Sequence, residues 1–142
     1  MNITLRKVQT KDWDYILNLR NDLQFRSFFY NQETISKEEH YNYLKKQNSN
    51  PNFFNWIICL DDKDVGYIRI LDHDIGIIIS LEYQKKGIGD QVLKLIEIEA
   101  RNLGLKKLIG KIMIHNKSSE KIFLKNNYQL KMFWYEKNLE AS

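Results

Sequence analysis

Three apolar runs, FNWIICL (residues 54–60), VGYIRIL (65–71) and IGIIISL (75–81), follow one another with only DDKD and DHD between them. Each run is short, rich in β-branched and aromatic residues, and bounded by acidic turn residues, so the three read as consecutive strands joined by tight hairpins. An antiparallel meander of this kind must be covered on at least one face. The third run is apolar at both alternating sets of positions, which places it inside a sheet with both faces covered. The chain has 142 residues, 43% hydrophobic and 28% charged, so a single domain with a full core is expected over residues 1–139, with residues 140–142 as a tail.

The third strand runs directly into YQKKGIGD, which places Gly87 and Gly89 behind two lysines. Ile88, Val92, Leu93, Ile96, Ala100 and Leu103 then recur at helical spacing, and Gly104 stands where a left-handed residue would end the helix. KKLIGKIMI (106–114) reads as a strand, NKSSEKIFLKNN (116–127) as a short helix and YQLKMFWYEKN (128–138) as one or two closing strands. A strand, a helix and a strand in series make the third meander strand parallel to residues 106–114, so the sheet is mixed. Upstream, ITLRKV alternates as a strand, and a helix is expected from Lys11 to Leu23. A second helix opens at Ser36, whose hydroxyl and Glu39 three residues later fit a capping box. The fold class is therefore α/β with a mixed, mostly antiparallel sheet and helices on both faces.

Strand, glycine-rich turn and helix N-terminus in that order make an anion site. The first amides of a helix lack internal acceptors, the helix dipole adds positive charge there, and glycine lets a phosphate approach the backbone. Gly, four residues and Gly-Lys-Ser/Thr would signal a P-loop, and that string does not occur. A dinucleotide fingerprint needs a further Gly or Ala where Val92 stands. Cys59 is the only cysteine, and His40, His73 and His115 are too far apart in sequence to suggest a metal set. Cys59 fits a buried strand position. The net charge of +4 is spread among interleaved acids and lysines, which suits a small anionic ligand better than nucleic acid. No apolar run is long enough to cross a bilayer and no leader is legible, so a cytoplasmic location is expected.

Gln84-Lys85-Lys86-Gly87-Ile88-Gly89 resembles the pyrophosphate loop of the GNAT family of N-acetyltransferases: Gln or Arg, two variable residues, Gly, any residue, then Gly or Ala. Asn116 after the next strand and the aromatic Phe123 seven positions later match the family's second motif, and the order of strands and helices matches nearly throughout. The resemblance implies acetyl-CoA as co-substrate, no metal, and a small-molecule amine as acceptor. Ile77, Ile78 and Ile79 would lend main-chain groups to the pantetheine arm. Gln84, Lys85, Lys86, Gly87, Ile88, Gly89 and Asp90 would hold the pyrophosphate, and Asn116, Ser119 and Phe123 would flank the thioester end. Many members carry Tyr at the Phe123 position as an acid for the departing thiolate. Phe cannot donate a proton, and Tyr83 or Tyr128 would be the substitutes.

For the base, the turn LDHDIG offers His73 and Asp74, with the His73 imidazole set between Asp72 and Asp74. Arg20, Asn21, Ile35, Ser36 and His40 resemble residues of a GNAT subgroup that acetylates nucleotide-linked amino deoxysugars, such as the enzyme of pseudaminic acid synthesis. That likeness implies Arg20, Asn21 and His40 as acceptor-binding residues, although the subgroup's cofactor-strand Tyr is missing from Ile77–Ile79. Protein or peptide N-acetylation is the rival within the family, weakened by Lys111 where ribosomal-protein enzymes carry Glu. A CoA-binding module without turnover is the rival outside it. Monomer and homodimer both fit.

Overall fold

Alternation along the meander produces the expected sheet. The computed structural model describes residues 2–22, 29 and 33–140. Five strands, β1 (Ile3–Lys7), β2 (Phe53–Leu60), β3 (Lys63–Leu71), β4 (Asp74–Ile79) and β5 (Ile109–Gly110), pair in sequence order. The first four are antiparallel neighbours and β5 runs parallel to β4. Both hairpins use two-residue turns whose central residues have positive φ, Asp61 and Asp62 (47° and 71°) and Asp72 and His73 (49° and 73°). This left-handed pair matches the twist of the flanking strands, and Asp tolerates it through local hydrogen bonding.

Among the described residues four α-helices cover the sheet: α1 (Trp13–Asn21), α2 (Lys37–Gln47), α3 (Ile88–Asn102) and α4 (Lys117–Lys125). The predicted end of the first helix at Leu23 lies outside the described residues, as do the last two residues of the predicted tail. The two sheet faces sort by parity. Trp56, Ile58, Ile68, Ile70 and Ile75 pack with Ile88, Val92, Leu93, Ile96 and Ala100 of α3 and with Phe123 of α4. Ile57, Cys59, Tyr67 and Ile78 pack on the opposite face against Ile16 and Leu19 of α1. Cys59 is thus a buried strand residue, and burial raises its thiol pKa. Ser36 caps α2 by accepting from Glu39 N–H at 3.1 Å. Gly104 closes α3 with φ of 79°.

Three expectations need correction. Leu103, read as part of the buried stripe of α3, is 40% exposed, because the helix ends there and the turn rotates it away from the sheet. The strand expected over 106–114 enters the ladder only at Ile109 and Gly110. Residues 128–138 form no strand: Leu130, Met132, Phe133 and Tyr135 are each more than two-thirds exposed. An alternating apolar pattern marks what a strand would bury, but a ladder also needs a partner edge, and none of the described strands supplies one there.

Candidate functional site

The early end of β5 opens the site. Its register with β4 covers two residues, Asp74 with Ile109 and Ile75 with Gly110, and beyond that the segments part. Ile109 N–H donates to His73 O at 2.8 Å, and Ser80 N–H donates to Val65 O at 2.8 Å. Peptide groups of alternate strand residues point to opposite edges. Ile75, Ile77 and Ile79 therefore face the β5 side, while Gly76, Ile78 and Ser80 face β3. Past Ile75 no ladder partner covers this edge among the described residues, so the peptide groups of Ile77 and the N–H of Ile79 line a cleft. Ile79 O accepts from Gln84 Nε2 at 3.0 Å, which ties the glycine turn to the strand end. This corrects the expectation for Ile78, whose main chain belongs to the β3 ladder and whose side chain is core.

The cleft ends at the start of α3. Gly87 is its N-cap with φ of 80°, and Gln91, donating to Gly87 O at 3.3 Å, is the first residue in the helical ladder. The amides of Ile88, Gly89 and Asp90 precede that bond and have no helical acceptor. Lys85 takes φ of 61°, and Lys86 Nζ lies 5.7 Å from the centre of the Tyr83 ring, so both lysines sit at the mouth of the turn. Asp90 would be expected to repel a phosphate here. Its carboxylate instead accepts from Lys94 Nζ at 2.8 Å, Asn126 Nδ2 at 2.7 Å and Lys125 Nζ at 3.2 Å. Those bonds, from Lys94 above all, hold its pKa below the usual carboxylate range and turn its charge towards the end of α4. The amide of Asp90 stays at the helix start while its charge is neutralised elsewhere.

On the other wall, Asn116 caps α4: its Oδ1 accepts from Ser119 N–H at 3.3 Å and from Ser118 Oγ at 3.4 Å. Phe123 is buried and meets Tyr128 edge-on, with ring centres 4.8 Å apart and planes at 76°. Its ring fills the space where a side chain at Gly110 would stand, with Cδ1 2.7 Å from that Cβ position. Phe123 therefore packs the point at which β4 and β5 part. Burial pushes the Tyr128 hydroxyl up to about 12. Tyr83 stacks under Lys86.

The turn residues proposed for the base are not assembled as expected. Asp74 points to the α1 face, where Arg69 Nη1 donates to its main-chain oxygen at 3.0 Å and to its carboxylate at 3.3 Å. No hydrogen bond joins the His73 ring to Asp72 or Asp74 among the described residues. The reason is strand parity together with Gly76: lacking a side chain, Gly76 leaves room for the Arg69 guanidinium, which lies 2.9–3.1 Å from where its Cβ would be.

The α1 face carries a cavity of about 330 Å³ bordered by Arg20, Glu39, His40, Tyr43 and Arg69. Arg20 sits in the last turn of α1 with its Nε buried and without a hydrogen-bond partner among the described residues. Asn21 is a clamp, since its amide donates to Ile35 O at 2.8 Å and accepts from Ile35 N–H at 2.9 Å. His40 is 3% exposed, and its Nε2–H donates to Trp13 O at 2.8 Å. Burial lowers its pKa. Arg20 and His40 thus border one cavity, with Asn21 fixing the chain beside it. Sequence reasoning missed Arg69 and Gly76. Arg69 is the only charged residue between Val65 and Leu71, and that interruption of an apolar strand was the available signal.

A model of the GNAT acetyltransferase domain matches residues 2–129. The chain belongs to the GNAT acetyltransferase family. An uncharacterized protein of Methanocaldococcus jannaschii is 28% identical over 132 residues, covering 85% of this chain, and the chain spans 27% of that protein's length. The crystal structure of a domain from the same organism superposes with a TM-score of 0.81 at 25% identity, covering 98% of this chain and 93% of that one. Spermidine N-acetyltransferase from Vibrio cholerae, in complex with CoA and spermine, gives a TM-score of 0.78 at 18% identity over 87% of this chain and 78% of that one. The GNAT domain is an acetyl-CoA-dependent N-acetyltransferase, and the residues of this chain fit that co-substrate: an unpaired strand edge leads to unpaired helix amides. No helix among the described residues is long and apolar enough to cross a membrane. No group of His, Cys, Asp or Glu among them could hold a metal ion.

Proposed function

We propose that this domain transfers the acetyl group of acetyl-CoA to a primary amine of a small molecule that enters from the α1 face, and that the acceptor is a nucleotide-linked amino deoxysugar. The observation that carries the first part is the parting of β4 and β5, which leaves the Ile77 and Ile79 edge open towards the start of α3. An extended amide-containing arm can continue the sheet along that edge, as a strand would, and its phosphates reach Ile88, Gly89 and Asp90 N–H. Lys85 and Lys86 add charge at the same end. Asn116 and Ser119 stand at the start of α4 on the opposite wall.

In the transfer, the neutral amine attacks the thioester carbonyl, the C–S bond breaks and the thiolate leaves with the electron pair. The amine proton passes to solvent or to a base in the cleft. A main-chain N–H of the open edge stabilises the carbonyl oxygen as charge develops on it. Phe123 supplies packing and no proton. His73 and Asp74 remain the proposed base residues, and Asp74 would act only if it left Arg69.

The sugar-nucleotide acceptor is supported by Arg20 and His40 at one cavity between α1, α2 and β3. The test is a screen for CoA thiol release with a UDP-linked 4-amino sugar, a polyamine, an aminoglycoside and a peptide with a free N-terminus. Release with the sugar nucleotide alone is expected. Release with the peptide alone would move the domain to protein acetylation. Tight acetyl-CoA binding with no release from any amine would make it a binding module.

A further inference from the structure

We infer that the cavity between α1, α2 and β3 is an oxyanion subsite in which Arg20 and Arg69 grip a phosphate or carboxylate of the acceptor. This rests on the reading of the domain as an amine acetyltransferase, and it narrows the acceptor to anionic molecules.

The argument begins with charge. Of the groups bordering the cavity, Arg20 and Arg69 are cations, His40 donates to Trp13 O and is kept neutral by burial, and Glu39 lies on the exposed rim. Arg69 is balanced by Asp74. Among the described residues no carboxylate pairs with Arg20. Burial and the neighbouring Arg69 both lower the Arg20 pKa, Tyr43 and Tyr67 oppose them, and no carboxylate contributes. A half-buried guanidinium without a counter-ion, facing a second one, is costly. An oxyanion between the two removes that cost, and a guanidinium fork matches phosphate and carboxylate geometry.

The walls are fixed before any ligand arrives. Asn21 clips the end of α1 to Ile35, His40 ties α2 to Trp13, and Gly76 holds space for the Arg69 plane. Arg69 is level with Gly76 in the β3–β4 register, one residue from Ile77 on the open edge and two from Ile78. At roughly 3.4 Å per residue the subsite lies within about 7 Å along the strand of the proposed transfer point. The acceptor would therefore carry its amine and its anion several bonds apart. Polyamines and aminoglycosides, being polycations, would be repelled from the pair.

The test uses protein saturated with CoA, so that the phosphate-binding turn is already occupied. Isothermal titration is run with pyrophosphate, UDP, glutarate and spermidine. The subsite predicts that at least one oxyanion binds the CoA-loaded protein, weakened about tenfold or more by Arg20→Met and by Arg69→Met, with spermidine not binding. Arg20→Lys, which keeps the charge and loses the fork, should fall between. Binding of pyrophosphate or UDP points to a phosphorylated acceptor, and binding of glutarate alone to a carboxylated one. If no oxyanion binds the wild-type protein, or if affinities are equal in wild type and folded Arg variants, the subsite is refuted. The affinity for CoA, measured in the same samples, reports separately on the acetyltransferase reading: its absence in wild type would remove that reading, whereas normal CoA binding without anion binding would remove only the subsite.

Discussion

Gly89 is the residue at which the cofactor assignment can be tested most sharply. A Cβ there would lie 3.4 Å from Ile122 Cδ1 and 3.6 Å from Ile79 Cδ1, ordinary packing distances between the α4 wall and the end of β4. Gly89→Ala should therefore fold, and within a helix it gains up to about 1 kcal/mol over glycine. Gly89→Asp adds a carboxylate at the same place, in the first turn of α3, where an acid interacts favourably with the helix dipole by about 0.3–1 kcal/mol. The fold should tolerate it. A diphosphate should not, because a carboxylate about 5 Å from one phosphoryl charge is repelled by about 0.8 kcal/mol in water and about 3 kcal/mol at an effective dielectric of about 20. Two such charges at the lower value already exceed the roughly 1.4 kcal/mol that corresponds to a tenfold change in Kd. Isothermal titration should show acetyl-CoA binding weakened at least about tenfold by Gly89→Asp. Gly89→Ala should stay within about threefold of wild type, since it adds no charge. A folded Gly89→Asp protein with wild-type affinity would show that the helix start does not hold the pyrophosphate.

Three further outcomes follow from the same geometry. Gly110→Ala should drive a methyl into the Phe123 ring, costing about 1–3 kcal/mol; for a chain of this length that lowers Tm by roughly 3–10 °C in a thermal melt. His40 has its pKa lowered by burial, so the unfolded chain binds the proton more readily, and stability should fall as pH drops below about 6.5. His40→Gln should flatten that limb of urea midpoint against pH. Asp12 accepts from Arg6 at 2.8 and 2.9 Å and from Gln9 N–H at 2.8 Å, which depresses its pKa, so its stabilisation is complete above about pH 4 and is lost as pH falls further. Asp12→Asn should reduce stability at pH 7 and make the fall of the midpoint between about pH 4 and 2.5 shallower, the slope that remains coming from other carboxylates with lowered pKa such as Asp90.

The sequence by itself determined the meander, the glycine turn, the cap of α2 and the buried stripe of α3, because each is a local matter. Period-2 and period-3.6 patterns, two-residue acidic turns, Ser36 and Gly104 act on their immediate neighbours. The turn proposed to hold the pyrophosphate was legible for the same reason. What only the tertiary structure decided depends on strand parity and partner edges. Alternation cannot say which edge of β4 remains unpaired, so it could not separate Ile77 and Ile79, which face the cleft, from Ile78, which faces β3. Nor could it show that residues 128–138, though patterned like a strand, find no ladder. The cavity proposed for the acceptor was hidden for a further reason. Arg20 and Arg69 are far apart in the chain, and they border one cavity only because α1 packs on the sheet face from which Arg69 projects. Tertiary packing on that face also pairs Asp74 with Arg69 and spends Asn21 on the backbone of Ile35, while on the opposite face it turns Asp90 towards Lys94 and Lys125. Side-chain partners are chosen by proximity in three dimensions, and a single sequence carries no direct record of that proximity.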